Sequence, residues 1–298
     1  MKSFHIILII LLSLLTSIVG TKYVVAHSGN GAVQTVKESA YDRVMRTGTL
    51  RCGYLVYPTL LDHDPNTGAF SGMYYDLMAE LGKQLSLKIE WTEEVGLATA
   101  FDGLSIGRYD VVCDPLAQVP ARARVTEFTV PVIYFPYFLY ARADDTRFDN
   151  DYAKVNDPSV KVALLEGEMA QYVKADLFPK AQTISLQNMT DASQVYLQVM
   201  MKKADVAMAE PSSIEAFMIH NPGKLKRVSG ESLRMQPAGL DVAVGEERLK
   251  SLLNTSIMSL QVTGFTQRLV DKYTTSSDQF YYAASPWGTS SKPLSSTH

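Results

Sequence analysis

What this sequence lacks narrows it first. Its 298 residues hold only two cysteines, Cys52 and Cys113, too few for a disulfide-rich scaffold or a four-cysteine zinc ribbon. The five histidines, His5, His27, His63, His220 and His298, show no metal-ligand spacing, so no metal site is expected. No strand-to-helix nucleophile elbow and no phosphate-cradling glycine loop is read along the chain, so no catalytic residue and no cofactor is expected. An excess of one charge is also missing. With 28 Lys and Arg against 31 Asp and Glu, the net charge of −3 gives no reason to expect nucleic acid or an anionic membrane surface as partner. There is no internal repeat and no run of like charges.

What is present reads as an ordinary globular composition, 46% apolar and 20% charged. The length suffices for two lobes with separate cores. Lys2 precedes a nearly all-aliphatic run over residues 6–19, the length of a signal-peptide core and short of the ~20 apolar residues that cross a bilayer. Val24-Val25-Ala26 supplies a small-residue cleavage site before His27, while Lys22 and Tyr23 leave an uncleaved anchor as the alternative. Residues 1–26 are therefore read as a signal peptide or N-terminal anchor, and 27–39 as a polar linker. In both cases the body of the protein is exported.

Beyond the linker, strand and helix patterns alternate. Residues 40–46 fit a short helix ended by Thr47-Gly48, and Thr49–Tyr54 fits a strand whose Gly53 marks a close backbone approach. Met73, Leu77, Leu81 and Leu85 recur every four residues, the buried stripe of a helix. Residues 87–91 alternate like a strand and 98–107 fit a short helix. Val111, Val112 and Cys113 then open a strand that Asp114-Pro115 is expected to stop. Such alternation builds a parallel sheet with helices on its faces, and its ligands sit beyond the carboxyl ends of the strands. Arg122 follows the last of these strands. Its planar fork of donors suits a carboxylate in a cleft, although most arginines are simply solvated.

The stretch 109–131, YDVVCDPLAQVPARARVTEFTVP, combines a strand, a short loop, P-x-R, and then F-T-x-P. This pattern resembles the family 3 extracellular solute-binding proteins, the periplasmic receptors for amino acids, and the resemblance runs from about Tyr41 to Tyr273. It also takes in Leu50-Arg51-Cys52-Gly53 with Tyr57-Pro58, Gly72-Met73-Tyr74-Tyr75-Asp76-Leu77, and the run from Lys203 through Asp205 to Glu210-Pro211. The family fold it implies is α/β and two-lobed, of the type II periplasmic-binding-protein kind. Each lobe is a mostly parallel sheet flanked by helices, with a double crossover as hinge. Lobe I is then residues 40–135 plus 238–275, lobe II is 136–237, and 276–298 is a flexible tail.

The resemblance also assigns roles. Arg122 takes a ligand α-carboxylate, Glu210 the α-ammonium, and the Tyr57 ring packs on the ligand; a helix-capping or solvated glutamate is the alternative for Glu210. Backbone donors at Gly167, where a helix starts, meet the carboxylate from the second lobe. The sequence departs from the family pattern at Asp114, Pro115 and Ala117, where Ser or Thr is usual, and at Met169, where threonine is usual. The polar shell is thinner, so the ligand is not necessarily an ordinary amino acid. Asp114 either helps Glu210 hold a more cationic ligand or pairs with Arg122. In the family the strands carrying Cys52 and Cys113 are parallel neighbours, which implies a disulfide. Two buried free thiols are the alternative. The function implied is a monomeric periplasmic binding protein that hands a small ligand to the membrane permease of an ABC transporter. A sensory module for a membrane receptor and a dehydratase-like enzyme on the same scaffold are the alternatives.

Overall fold

The computed structural model describes residues 38–282, apart from 58–59, 98, 150, 188–190, 229–230 and 275–277. The expected leader over 1–26, the linker as far as residue 37 and the tail from 283 onward lie outside the described residues. The chain runs α1 (Ala40–Thr47), β1 (Thr49–Tyr54), β2 (Asp62–His63), β3 (Phe70–Ser71), α2 (Met73–Leu85), β4 (Lys88–Glu94), α3 (Ala100–Ile106), β5 (Val111–Ala117), β6 (Glu127–Phe128) and β7 (Ile133–Arg142). It continues with β8 (Lys161–Leu165), α4 (Met169–Leu177), β9 (Gln182–Leu186), α5 (Ser193–Met200), β10 (Val206–Ala209), α6 (Pro211–His220) and β11 (Leu225–Arg227). Then come β12 (Arg234–Val242), α7 (Glu247–Val262), α8 (Phe265–Tyr273) and β13 (Tyr281–Tyr282).

Local chemistry explains the boundaries. The Ser39 hydroxyl accepts the Asp42 N–H at 3.0 Å at the start of α1, and Gly48, with φ 65°, ends it. In α2 the four-residue stripe Met73, Leu77 and Leu81 is fully buried. Gly72 precedes this helix with φ 112°, and a Cβ there would lie 2.6 Å from the Leu60 carbonyl oxygen, so only glycine lets the helix start so close to that strand-side backbone.

The main sheet has the order β4-β1-β5-β12-β7-β10-β8-β9. β1 is parallel to β4 and β5, and β8 is parallel to β9 and β10. Between these parallel sets the pairs β5–β12, β12–β7 and β7–β10 are antiparallel. Two half-sheets thus meet through β7 and β12, the strands that carry the chain from one to the other and back. One apolar cluster links Leu50 and Leu77 beside the first half to Val162 and Val206 in the second. A second cluster, with Phe138, Tyr196 and Ile214, packs another face of the second half. The result is a two-lobed α/β fold around a curled sheet flanked by helices.

Two expectations change. β5 does not stop at Asp114-Pro115 but runs on to Ala117, because the ladder with β12 is irregular between Gly239 and Asp241 and so tolerates a proline with no N–H to donate. The chain returns to the first half-sheet along a single strand, β12. Residues 278–282, expected within a flexible tail, instead place β13 antiparallel against Ile133 and Tyr134 of β7, with Phe280 edge-on to Phe135 at 5.7 Å. Gln279 donates to Glu215 and Arg227 pairs with Asp278, so this segment is fastened to the second half-sheet as well.

Candidate functional site

The strand-end rule brings the candidate residues together. Tyr57 follows β1, Arg122 follows β5, Gly167 follows β8 and Glu210 follows β10, each beyond the carboxyl end of a strand with a parallel neighbour. Arg122 is only 6% exposed. Its guanidinium donates to the Ala117 carbonyl at 3.1 Å and, across to the other half, to the Gly167 carbonyl at 3.0 Å. The Tyr57 hydroxyl donates to Glu210 Oε1 at 3.0 Å, a second bond between the halves. Glu210 caps α6, with Pro211 as the first helical residue, so its side chain stands at the mouth of β10 instead of entering the helix.

The remaining candidates are placed differently. Asp114 does not pair with Arg122. Its Oδ2 accepts the Leu55 amide at 2.5 Å while Oδ1 is buried with no partner. The Gly167 N–H donates to Gln171 Oε1 at 2.9 Å, so that amide is engaged within its own turn instead of facing a ligand. Met169 is 3% exposed and belongs to the main apolar cluster. The letters G-L-S-I-G at 103–107 do spell a nucleophile-elbow pattern. They form the end of α3, however, and the exposed Ser105 hydroxyl donates to the Asp102 carbonyl at 2.8 Å, so no elbow exists there.

Several neighbours were not singled out from the sequence. Burial, and then the nearby Glu210 charge, push the Glu168 carboxyl up to about 8 against the pull of Arg122. Burial likewise pushes Asp114 to about 8, against the Leu55 amide that favours its charged form. Tyr57, Tyr74, Tyr137 and Tyr196 surround these acids, and each phenol is held well above its ordinary range, by burial first and then by Glu210, Glu168 or Asp114. Asp241 of β12 is fully buried and pushed upward by burial, with Arg122 and Thr126 opposing. Phe101, on α3, has its ring centroid 5.9 Å from the Arg122 guanidinium carbon. Tyr137 stands within the aromatic run after Pro136, and Glu168 between Gly167 and Met169, so adjacency is the only signal the sequence offers for them.

The cluster is thus one arginine fork, four carboxyl groups and four phenols, drawn from both half-sheets. Among the described residues no group of three His, Cys, Asp or Glu is arranged to hold a metal ion. An open pocket of about 450 Å³ lies elsewhere, at the edge strand β4 against α2 and β3, and involves none of these residues. Cys52 and Cys113, on adjacent parallel strands, form a disulfide with Cα atoms 5.4 Å apart.

Two parallel half-sheets, two crossing strands and polar groups converging at the strand ends define a two-lobed solute-binding fold. A model of the bacterial extracellular solute-binding proteins, family 3, matches residues 56–276, and the chain belongs to that family. No curated protein matches the sequence. Among solved structures, an ancestral amino-acid-binding protein described as a precursor of cyclohexadienyl dehydratase is 22% identical with a TM-score of 0.67, covering 79% of this chain and 99% of that one. A putative ABC-transporter binding component from Wolinella succinogenes, complexed with lysine, is 20% identical with a TM-score of 0.66, covering 77% and 97%. The cysteine-binding protein of Campylobacter jejuni is 18% identical with a TM-score of 0.67, covering 83% and 100%. At these identities the likeness establishes the fold alone.

Proposed function

We propose that the protein is an exported, periplasmic solute-binding protein that captures a small amino-acid-like zwitterion between its lobes and delivers it to an ABC permease. It acts as a monomer, with residues 40–135 plus 238–275 as one lobe and 136–237 as the other. The observation that carries this is the pair of bonds between the halves, Arg122 to the Gly167 carbonyl and Tyr57 to Glu210. They occupy the positions where a carboxylate and an ammonium would be held. A ligand carboxylate replaces the Gly167 carbonyl on the Arg122 fork, and an ammonium takes the Glu210 oxygen that now accepts from Tyr57. Asp114, Ala117, Gly167 and Met169 shape the walls. Closure and recognition become one event, because the ligand bonds groups on both sides of the hinge.

Calorimetric titration with a panel of amino acids tests this. Arg122→Ala should lose on the order of a thousandfold in affinity, since stripping one partner from a buried charge pair costs ~3–5 kcal/mol. Arg122→Lys should recover only part, because it keeps charge but not the fork. Binding by Arg122→Ala as tight as wild type refutes the assignment. A second reading is favoured by one observation. A Glu168 carboxyl that holds its proton up to about 8 is a candidate general acid, which suits dehydration on this scaffold. Turnover of prephenate-like acids, abolished in Glu168→Gln, distinguishes it.

A further inference from the structure

The cleft is short of positive charge. Asp114, Glu168 and Glu210 face the same region as the single guanidinium of Arg122, and the Tyr74 phenol feels both Asp114 and Glu210. Arg122 is engaged by two backbone carbonyls, at 3.1 Å and 3.0 Å, so the closed arrangement is complete without any carboxylate on the fork. Asp114 is only 2% exposed, yet its Oδ1 has no hydrogen-bond partner. Ser212 Oγ, two residues beyond Glu210, is also buried without a partner. Buried polar atoms are nearly always satisfied, so the orphan Asp114 Oδ1, within the cluster, marks a donor that a ligand brings. The buried phenols of Tyr57, Tyr74, Tyr137 and Tyr196 all feel the Glu210 charge, and a phenol oxygen can accept from a cationic nitrogen.

Building on the solute-binding reading above, we propose that the ligand carries two cationic nitrogen groups on a short organic chain, with Asp114 and Glu210 as the acceptors of the two. A neutral zwitterion would set its carboxylate beside three acids and leave Asp114 Oδ1 unsatisfied. A dication offers a donor to each end of the acidic cluster and lets two carboxyl groups ionise. The carboxyl groups do not converge in a metal-ligand arrangement among the described residues, which fits an extended organic cation. A basic amino acid and a carboxylate-free diamine share this chemistry. They differ in whether a carboxylate displaces Gly167 from Arg122.

Titration calorimetry of the exported chain at pH 7, against lysine, arginine, agmatine, cadaverine, glutamine and glutamate, tests the proposal. At least one dication should bind ten times more tightly than glutamine or more. Asp114→Asn keeps an acceptor for the Leu55 amide but removes the charge, so it should weaken the dication at least tenfold and by clearly more than it weakens a neutral amino acid. Glu168→Gln is the second variant should Asp114→Asn fail to fold, and melting curves report folding for both. Lysine or arginine binding above its amine analogue assigns the carboxylate to Arg122; agmatine or cadaverine binding above the amino acid assigns a carboxylate-free ligand. Either supports the proposal. Tighter binding of glutamine or glutamate, still lost in Arg122→Ala, overturns it while the solute-binding reading stands. No binding by any of the six overturns the dication proposal, and a wider panel that also fails overturns the solute-binding reading with it.

Discussion

Breaking the Cys52–Cys113 bridge should be expensive, and the cost can be worked out. The two cysteines are 61 residues apart in sequence and both are fully buried. On the chain-entropy relation, a closed loop of about 60 residues removes roughly 4 kcal/mol of conformational freedom from the unfolded chain. For a body of this size each kcal/mol moves the melting temperature by ~2–4 °C, so the loss amounts to roughly 8–16 °C. The bridge also has a positional effect, since it joins β1, which leads to Tyr57, to β5, which leads to Arg122. Thermal unfolding by circular dichroism of the wild type, and of a Cys52→Ala/Cys113→Ala variant, measures the loss. A reducing agent should lower the wild-type melting point toward that of the variant and leave the variant itself unchanged. Because both sulfurs are shielded, reduction should be slow at room temperature and fast near the transition. A variant melting within about 3 °C of oxidised wild type, where a drop of roughly 8–16 °C is expected, refutes the reasoning. So does quantitative thiol labelling of the unreduced protein.

Two further outcomes test the site and the frame. Asp114 and Glu168 keep their protons up to about 8 when folded, against ordinary values of 3.8 and 4.5, so between those limits the folded chain binds more protons than the unfolded one. The sign is then a fall in stability as pH rises from about 4 to about 8, by at most ~1.4 kcal/mol per unit for each group. Melting temperatures across pH 5–8 should decline in wild type and decline less steeply in Asp114→Asn/Glu168→Gln, where the buried Asp241 still contributes; a rise across that window refutes the assignment. Gly72→Ala meets the Leu60 carbonyl and a φ of 112°, and should cost more than about 1 kcal/mol in a urea titration, where an unchanged midpoint would count against the close approach.

Much of the frame was legible because it is local. The four-residue stripe of α2, the valines of β5 and the Gly48 stop each act through their own neighbours in the chain. Arg122 and Glu210 were singled out through the loop patterns around them, and both stand at strand ends. What was not legible is what tertiary contact decides. That Arg122 bonds the Gly167 carbonyl, that Asp114 turns to the Leu55 amide, and that Glu168 sits beside Glu210 all depend on groups far apart in the chain coming together. The strand at 281–282 was missed for the same reason. Its surroundings are rich in Ser, Thr and Gly, and only the exposed edge of β7 gives it a partner.

That short strand has a mechanical consequence. A hinge of two strands bends about one line, and the work of bending is spread over a few torsions. β13 adds a third tie, laid along the first residues of β7 and moored on the far side through Gln279 to Glu215 and Asp278 to Arg227. Swinging the lobes apart therefore has to slide this tie or lift it off. If the two strands act as a hinge, residues 278–282 work as a spring in parallel with it, resisting its opening. A reporter domain fused beyond residue 282 would hang its weight on that spring, so a label meant to watch the hinge is better carried on α7.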